Sequence, residues 1–595
     1  MRAPKIYEDL TPLHEKARNV SRVLGILCVF VLLAFWKVQI LDHRTYWKLS
    51  EANRVREIVV APQRGLIRDR HGNILARNVA SFKASIIREN CRDFDQACLN
   101  VSRILGLPVS VLKERIAKYA HLPAFHPIVI KDDLTLEDVS RILARKAEFP
   151  ELLIQADPKR EYPHGTLAAH VLGYLQEVSR EELATVYSGK RRPGDLVGKT
   201  GIEQWYEEEL VGKEGRVFEV VDSIGRPRET MSRIEPVQGK DLMLTLDMDL
   251  QKKAEELLQG REGAVVVLNP RTGEILALAS YPTFDPNGFI SRFTPKEWTD
   301  LTESPEFPLE NRAIRGLYAP GSLFKLVVAL ATLETRTIRD SETYYCTGLT
   351  RIYGRPFACW FRGGHGTVNL YSGIRHSCNI YFYNVGKKLG IEEIARFARM
   401  LGFGQKTGVD LPGEKEGLVP DPEWKKKTRG EIWYPGETIS VSIGQGPLMV
   451  TPLQVAVFTA TVANRGKKVT PYLLRKQRLE SLKEASVNIQ DSVFEKIIQG
   501  MWAVVNEQGT GRAARVDGMD ICGKTGSTQV ISRLMAEKLG EEKKIVKTHS
   551  WFTGFAPRMN PEVVVTVLVE YGGMGGATAA PLARRLFAFY RDKYD

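Results

Sequence analysis

The stretch GAVVVLNPRTGEILALASYP (263–282) contains two apolar runs separated by a turn at Arg271-Thr272-Gly273. This pattern predicts two antiparallel strands. Two further strand-like runs, HSWFTGFAP (549–557) and EVVVTVLVEYGG (562–573), lie near the C-terminus and precede a helical stretch. Because strands stand at both ends of this long segment, with helical patterns between them, we expect one α+β domain. We expect the sheet of this domain to be antiparallel, flanked by helices and closed by the C-terminal part of the chain.

The whole chain has 595 residues, more than one ordinary core accommodates, so two or three domains are expected. Its 43% hydrophobic and 26% charged residues are typical of a folded globular protein. The formal net charge of +13 is spread along the chain. We find no zinc-finger spacing, aromatic RNA-binding signature or long Lys/Arg run, and therefore expect no nucleic-acid partner.

An apolar run near the N-terminus predicts a membrane helix. It begins at Val23, is unbroken to Trp36 and extends to Leu41 with only two polar residues, which matches the ~20 residues that cross a bilayer. No small-x-small cleavage site follows, so an uncleaved anchor is favoured over a signal peptide or a buried core helix. Residues 1–22 hold five Lys/Arg and residues 43–62 hold four, so charge alone does not decide the orientation.

The region between the anchor and the C-terminal domain alternates short strand-like and helical stretches. REIVVAPQRGLIRDRHGNILARN (56–78) is typical of strand, turn and strand, and LEDVSRILARKAEF (136–149) has helical periodicity. We find no catalytic cluster here, which indicates a spacer or docking module. The predicted domains are a tail and anchor at 1–42, this pedestal at 43–235 and the domain that contains the sheet at 236–595.

The first chemical motif is Ser322-Leu-Phe-Lys325, which follows Tyr-Ala-Pro-Gly and precedes the apolar stretch LVVALATLE. The Pro-Gly pair predicts a turn, so Ser322 begins a helix and Lys325 lies one turn later on the same face. A serine hydroxyl needs a base within reach to become a nucleophile. A lysine serves if burial and a second nearby cation lower its pKa.

Two more motifs follow in order. Ser377-Cys378-Asn379 lies fifty-five residues after Ser322, and Lys524-Thr525-Gly526-Ser527 follows the apolar MDIC on a predicted strand. This set of S-x-x-K, S-x-N and K-T-G is known from penicillin-binding proteins and class A β-lactamases. Each triplet alone is a weak signal, because the chain repeats them at positions with no suitable companions, namely Ser110, Lys199, Lys406 and Ser486.

With these motifs the sequence resembles the class B penicillin-binding proteins over nearly the whole chain past the anchor. Further matching stretches are RGLIRDRHGNILA (64–76), DPNGFISRF (285–293), NRAIRGLYAPGS (311–322), TGVDLPGE (407–414), SIGQGPLMVTPLQ (442–454) and NEQGTGRAA (506–514). The resemblance implies a penicillin-binding transpeptidase fold on an elongated α+β pedestal outside the cytoplasmic membrane. It also implies that the N-terminus is cytoplasmic, because the cell-wall substrate lies outside.

The resemblance further implies a role for each residue of the motifs. Ser322 attacks the penultimate D-Ala carbonyl of a peptidoglycan stem peptide, and Lys325 accepts its proton. Ser377 and Asn379 pass a proton to the departing D-Ala and hold Lys325. The terminal carboxylate is received by the K-T-G strand, through Lys524, Thr525 and Ser527, while Gly526 lets the substrate approach the backbone.

A second cluster lies between the first two motifs. Cys346, Cys359, His365 and Cys378 fall within thirty-three residues, and three thiolates with one imidazole form a tetrahedral zinc set. A disulfide among these cysteines, or buried free thiols, would also be compatible with the sequence. Elongation-type members of the family have a zinc site in this stretch, so the resemblance implies one structural zinc ion. Its first ligand matches Cys346 only after a small loop shift.

The resemblance also implies partners and leaves alternatives. Expected partners are peptidoglycan stem peptides, a RodA-like SEDS-family membrane glycosyltransferase, scaffold proteins of the elongation complex, and β-lactams as inhibitors. The chemistry itself needs no cofactor. A division-type class B enzyme, a D,D-carboxypeptidase or β-lactamase, and a β-lactam sensor are the alternatives, and a sensor would need further membrane helices that the sequence lacks.

Overall fold

The structure is a computed structural model that describes residues 11–47, 55–91, 93–121, 124, 127–149, 151–221, 227–291, 293–475, 485–529 and 548–594. The charged stretch 532–547, which the sequence predicts to be a solvated loop, lies outside these residues. The chain forms two compact units, each built from several segments. The first comprises 1–62, 81–157 and 213–237, and the second comprises 63–80, 158–212 and 238–595.

The α-helices are α1 (Thr11–Trp36), α2 (Phe94–Leu105), α3 (Val109–Lys118), α4 (Leu136–Ala144), α5 (Ala169–Leu172), α6 (Arg180–Ala184), α7 (Gly201–Trp205), α8 (Glu207–Val211), α9 (Met248–Leu258), α10 (Asn287–Ser291), α11 (Pro295–Thr302), α12 (Lys325–Glu334), α13 (Leu370–Arg375), α14 (Asn379–Leu389), α15 (Ile391–Met400), α16 (Pro422–Arg429), α17 (Pro435–Val441), α18 (Pro452–Ala463), α19 (Asp491–Asn506) and α20 (Ala579–Tyr594).

The strands are β1 (Val55–Val60), β2 (Ile67–Arg68), β3 (Ile74–Ile86), β4 (Ile128–Lys131), β5 (Leu152–Glu161), β6 (Leu175–Glu177), β7 (Leu196–Gly198), β8 (Gly215–Val221), β9 (Pro227–Ile234), β10 (Leu242–Met243), β11 (Gly263–Leu268), β12 (Ile275–Tyr281), β13 (Tyr344–Cys346), β14 (Leu349–Ile352), β15 (Arg355–Ala358), β16 (Gly366–Val368), β17 (Cys522–Gln529), β18 (Thr548–Ala556) and β19 (Val563–Val569).

The N-terminal helix α1 continues as a π-helical turn from Lys37 to Leu41. Within residues 16–41, the most apolar stretch of eighteen residues has a mean hydropathy of 2.3, and none of that stretch is buried by the described protein. A helix of this length and composition can cross a bilayer. The single apolar N-terminal helix predicted from the sequence is therefore confirmed.

The first unit contains a three-stranded antiparallel sheet in the order β1-β8-β9. In the same unit the end of β3 pairs antiparallel with β4, and helices α2 to α4 contribute side chains to one apolar cluster. Helix α2 begins where the Asp93 side chain accepts hydrogen bonds from two backbone N–H groups, and it ends at Gly106 in the left-handed conformation. Such caps satisfy backbone groups that a helix leaves unpaired.

The second unit is organised around a five-stranded antiparallel sheet in the order β12-β11-β19-β18-β17. Strand β11 pairs with β12, its neighbour in sequence, and also with β19, where Gly263 lies opposite Val569. Every residue of β11 and β19 is buried, because helix α18 packs on these strands and helices α9 and α20 cover the sheet as well. The prediction of an α+β domain whose sheet is closed by its C-terminal strands is confirmed.

Candidate active site

Ser322 lies in a short 3₁₀ turn, Gly321–Leu323, immediately before α12 begins at Lys325. Gly321 adopts a φ of +55°, and a Cβ atom there would stand 2.7 Å from the Oγ1 atom of Thr528. Glycine has no Cβ atom, so it adopts this positive φ readily and also avoids the close contact with Thr528. The turn leaves Ser322 half-buried at the start of the helix, as the sequence predicts.

The Lys325 side chain is fully buried, and its three ammonium protons are directed at the second motif. Its Nζ atom donates to the Ser377 carbonyl oxygen at 2.8 Å, to Ser377 Oγ at 3.2 Å and to Asn379 Oδ1 at 2.6 Å. The contacts from Lys325 to Ser377 and Asn379 are those that the family resemblance implies. The Ser322 hydroxyl makes no hydrogen bond to any described residue. Catalytic hydrogen bonds often form only once substrate is bound.

Burial lowers the pKa of Lys325 from its ordinary value of 10.5 to about 8, although the nearby thiols of Cys378 and Cys359 favour the charged form. A lysine with a pKa near neutrality can release its proton and then act as a base. Of the two causes that the sequence argument names for Lys325, burial is the one that lowers its pKa here.

The second motif is held in an unusual backbone conformation. Ser377 has a φ of +54°, in the left-handed region that residues other than glycine rarely adopt. Asn379 begins helix α14, and its Nδ2 atom donates to the carbonyl oxygen of Ala358 at 3.3 Å. Such local strain persists only where surrounding contacts impose it, and it concentrates at functional sites.

The third motif lies on β17, the edge strand of the sheet. Lys524 is fully buried, and its Nζ atom donates to the carbonyl oxygen of Thr525 at 3.1 Å. Burial lowers the pKa of Lys524 far below its usual range, and the nearby charge of Lys325 lowers it further. Within the described ranges neither lysine has a carboxylate within salt-bridge distance. The site therefore places two amines close together with no described carboxylate beside them, an arrangement suited to an anionic ligand that would favour their charged form.

Strand β17 packs directly against the turn that contains Ser322. Thr528 Oγ1 donates to the carbonyl oxygen of Ala319 at 2.8 Å. A Cβ atom at Gly526 would stand 2.9 Å from the carbonyl oxygen of Pro320 and 3.1 Å from Cγ of Leu323, so only glycine allows this approach. Ser527 is half-buried, and its Oγ atom accepts a hydrogen bond from a C-terminal backbone amide. The three motifs thus converge on one place.

Two further residues support the site without having been singled out from the sequence. Thr510 shares a 2.7 Å hydrogen bond between its Oγ1 atom and that of Thr525. The carbonyl oxygen of Gly444 accepts from the Gly321 amide at 2.9 Å, and a Cβ atom at Gly444 would stand 2.0 Å from the Gly321 oxygen. Their signals were the stretches 506–514 and 442–454, which matched the family but had no chemistry of their own.

The repeated triplets lie elsewhere. Lys199 forms an ion pair with Glu182, and Lys406 is exposed. Ser110 lies on α3, where the lysine three residues later pairs with Asp95 at 2.6 Å. Two of these lysines pair with carboxylates and the third is exposed, so none of them resembles the buried lysines of the convergent motifs.

The cysteine and histidine cluster is assembled. The ligand atoms of Cys346, Cys359, His365 and Cys378 all lie within 4.8 Å of one another. The Nδ1 atom of His365 stands 3.5 Å from the sulfur of Cys346 and 3.6 Å from that of Cys359. A tetrahedral zinc ion with ordinary bond lengths places sulfur and nitrogen about 3.6 Å apart. All seven cysteines, including the three of this cluster, are free thiols in the structure.

A serine on a turn before a helix, with one buried lysine on that helix and another on the adjacent sheet edge, defines the penicillin-recognising serine enzymes. The comparisons agree. Residues 263–588 match the penicillin-binding protein transpeptidase domain, and residues 59–244 match the penicillin-binding protein dimerisation domain.

Several relatives match almost the whole chain. Peptidoglycan D,D-transpeptidase MrdA of Acinetobacter baumannii is 36% identical over 95% of this chain and 86% of its own length. The complex between penicillin-binding protein 2 and MreC from Helicobacter pylori superposes with a TM-score of 0.81 at 30% identity, covering 91% of this chain and 99% of that one. A structure of a peptidoglycan synthase complex has a TM-score of 0.69 at 29% identity and covers 98% of both chains.

The chain belongs to the class B penicillin-binding proteins. Within that class it is a serine D,D-transpeptidase of the elongation type, like the MrdA relatives. The identification from sequence motifs is confirmed.

Proposed function

We propose that this protein cross-links peptidoglycan stem peptides through an acyl-enzyme on Ser322. The Oγ atom of Ser322 attacks the penultimate D-Ala carbonyl carbon while its proton passes to the neutral amine of Lys325. Ser377 then relays a proton to the nitrogen of the terminal D-Ala as the peptide bond breaks. An amine from a neighbouring stem attacks the ester, which forms the cross-link and regenerates the serine.

The K-T-G strand binds the substrate's anionic end in this proposal. Lys524 and the hydroxyls of Thr525 and Ser527 receive the terminal carboxylate, and Gly526 permits an extended peptide to lie along β17. The backbone amides of Ser322 and Ser527 stabilise the oxyanion. Asn379 holds Lys325 and the substrate amide. β-Lactams acylate Ser322 by the same geometry, since they present a carboxylate beside a reactive carbonyl.

The observation that carries the proposal is the burial of two lysines beside a serine turn, with no carboxylate partner for either among the residues that the structure describes. The test is acylation by a fluorescent penicillin. Ser322→Ala is expected to abolish labelling, whereas Ser110→Ala, at a repeated S-x-x-K triplet, keeps the wild-type rate. Labelling that persists in Ser322→Ala and maps to another serine would refute the assignment.

We further propose that Cys346, Cys359, His365 and Cys378 hold one structural zinc ion. The sulfur–nitrogen distances of 3.5 and 3.6 Å support a tetrahedral fit, and three thiolates favour zinc over harder cations. When bound, the ion supplies a cross-link and takes no part in proton transfer. Because Cys378 stands between Ser377 and Asn379, that cross-link stabilises the second motif.

Elemental analysis tests the metal proposal. Wild-type protein is expected to contain one zinc per chain, and Cys346→Ser is expected to lose it. The control is Cys522→Ala, which removes a buried cysteine outside the cluster and keeps the metal. Stoichiometric zinc in Cys346→Ser, or metal-free wild-type protein with a disulfide, contradicts the proposal.

The cellular setting is also a proposal. The apolar helix α1 anchors the chain in the cytoplasmic membrane with its N-terminus inside, and the domains at 43–235 and 236–595 lie outside. The relatives solved with MreC and within a peptidoglycan synthase complex support a scaffold protein and a SEDS-family glycosyltransferase as partners. Protease protection of a tagged N-terminus in inverted and right-side-out vesicles tests the orientation.

A further inference from the structure

Residues 343–369 present a charged surface that the proposed reaction does not use. The segment contains three arginines and no aspartate, glutamate or lysine. Arg351, Arg355 and Arg362 are all exposed, and within the part of the chain that the structure describes none of them forms an ion pair. The nearest acidic residue in sequence, Glu342, is already paired with Lys388 and accepts from Tyr344 at 2.6 Å. The positive charge therefore faces solvent unneutralised.

Large apolar side chains are exposed on the same segment. The exposed fractions are 70% for Tyr345, 52% for Leu349, 53% for Tyr353, 46% for Trp360 and 47% for Phe361. Single exposed apolar residues are ordinary, but several within one short segment indicate a binding surface. We call this surface, with its three arginines, the 343–369 face.

The 343–369 face is joined to the catalytic groups. The carbonyl oxygen of Ala358, at the end of β15, accepts hydrogen bonds from Asn379 at 3.3 Å and from the Tyr383 hydroxyl at 3.2 Å. Trp360 donates through Nε1 to the carbonyl oxygen of His376 at 2.9 Å, directly before the second motif. The base of the β14–β15 hairpin is therefore tied by hydrogen bonds to the second motif, whose residues hold Lys325.

The tip of the β14–β15 hairpin combines both kinds of side chain. Arg351 lies near the end of β14, and Arg355 begins β15 opposite Ile352. The ammonium group of Lys387 stands 5.0 Å from the centre of the Tyr353 ring. Flat aromatic surfaces next to guanidinium groups offer stacking for apolar faces and paired hydrogen bonds for carboxylates.

We infer that the 343–369 face binds the acceptor peptidoglycan strand and brings its peptides to the acyl-enzyme. The inference rests on the proposed function. Transpeptidation needs two strands, and the pocket at Ser322, Lys325 and Lys524 accounts for the donor peptide alone. A glycan strand with carboxylate-bearing peptides has the chemistry that this face complements, because sugar rings stack on aromatic side chains and carboxylates pair with arginine.

The experiment measures binding of soluble, uncross-linked glycan strands bearing pentapeptides to full-length protein in detergent. The protein is first acylated with penicillin, so that the donor pocket is occupied. Arg351→Glu/Arg355→Glu is expected to raise the dissociation constant about tenfold, because two solvent-facing charge pairs become repulsive. The matched control is Arg584→Glu/Arg585→Glu, which reverses two exposed arginines on α20 and is expected to bind like wild type.

Two further variants test which side-chain groups bind the strand. Tyr353→Ala is expected to weaken binding about threefold, also for strands stripped of their peptides, because it removes a stacking surface. Arg351→Gln/Arg355→Gln, which keeps polar side chains, is expected to raise the dissociation constant about threefold. This variant provides the test if Arg351→Glu/Arg355→Glu misfolds. Acylation by penicillin, measured in parallel, reports correct folding.

Wild-type affinity in both of the Arg351/Arg355 double variants would overturn the inference. Displacement of the strands by single-stranded DNA at equal charge concentration would also overturn it, since the face would then be a nonspecific polyanion surface. Failure of the wild-type protein to react with penicillin, by contrast, would refute the proposed function whatever the strand binding.

Discussion

The second compact unit buries charge in two places, and the two differ in how that charge is balanced. In the first, Arg64 and Arg160 surround Glu203, with Nε–Oε distances of 2.6 and 2.8 Å, and Arg64 also pairs with Glu207 at 2.7 Å. In the second, the buried amines of Lys325 and Lys524 have no carboxylate partner among the described residues. We call the first the arginine–glutamate network and the second the lysine pair.

Protonation differs accordingly. Burial opposes ionisation of Arg64, yet Glu203 and Glu207 overcome it and raise its pKa above the ordinary value. Burial likewise opposes ionisation of Glu203, but the two arginines hold its pKa below the usual range. Burial of Lys325 is not balanced in this way, and its pKa falls to about 8. Paired buried charge keeps its proton state and stabilises structure, whereas unpaired buried charge becomes available for proton transfer.

The largest expected effect comes from removing the amine of the lysine pair. Lys325→Met keeps an unbranched side chain in the buried site but leaves no base for Ser322. We expect the second-order rate of penicillin acylation to fall by about 10²–10⁴-fold, the typical range for a general base. Lys406→Ala, at a repeated K-T-G triplet, serves as the control and should react normally. A fall of less than tenfold in Lys325→Met would assign the base elsewhere.

The next effect falls on the arginine–glutamate network. Glu203→Gln leaves Arg64 and Arg160 buried without full compensation, so we expect the free energy of unfolding to drop by about 3–5 kcal/mol. Glu393→Gln removes a half-exposed partner of Arg396 and should cost less than about 0.5 kcal/mol. Chemical denaturation measures both. Equal losses in the free energy of unfolding would show that removing a partner from the buried network costs no more than removing one from an exposed ion pair.

The pH dependence of acylation sharpens the contrast. Because the pKa of Lys325 is lowered to about 8, the neutral amine becomes more abundant as pH rises. Acylation should therefore increase about tenfold per pH unit below pH 8 and level off above it. In the unfolded chain this lysine has its ordinary pKa of 10.5. Between pH 8 and 10.5 the unfolded state therefore binds more protons than the folded state, so the contribution of Lys325 to the free energy of unfolding rises with pH. Stopped-flow acylation with a neutral-pH-stable penicillin gives the profile, and a flat profile would contradict the role of Lys325.

The smallest effect concerns a neutral member of the network. The hydroxyl of Tyr162 donates to Glu203 Oε1 at 3.2 Å. Tyr162→Phe removes this one bond while both arginines remain, so we expect a loss of about 1 kcal/mol in the free energy of unfolding. Denaturation next to Glu203→Gln gives the comparison. A loss as large as that of Glu203→Gln would mean that hydrogen bonding, and not charge balance, dominates the network.

Local patterns in the sequence predicted much of this molecule. The β11–β12 hairpin follows from two apolar runs around a Thr-Gly turn, and α1 follows from an apolar run of membrane length, since each depends on neighbouring residues alone. The order and spacing of the three motifs, with their family resemblance, led to the transpeptidase identification before any contact was known. The choice of Lys524 over Lys199 and Lys406 followed from the elements around them.

Other features depend on residues far apart in sequence, and no local pattern determines them. Gly263 pairs with Val569 although about three hundred residues separate them in sequence. Thr510, which belongs to none of the three motifs, shares a hydrogen bond with Thr525 of the third motif. The hydrogen bonds from Lys325 to Ser377 and Asn379 join motifs that lie more than fifty residues apart in sequence.

The amino-acid sequence by itself determined the apolar N-terminal helix, the strand and helix types, and the chemical groups available for catalysis. Only the tertiary structure decided which of those groups lose water and which find a partner. Glu203 meets two arginines in the folded unit, while Lys325 meets none of the carboxylates that would hold its proton. Proton affinity depends on solvation and on charges a few ångströms away, and folding alone sets both.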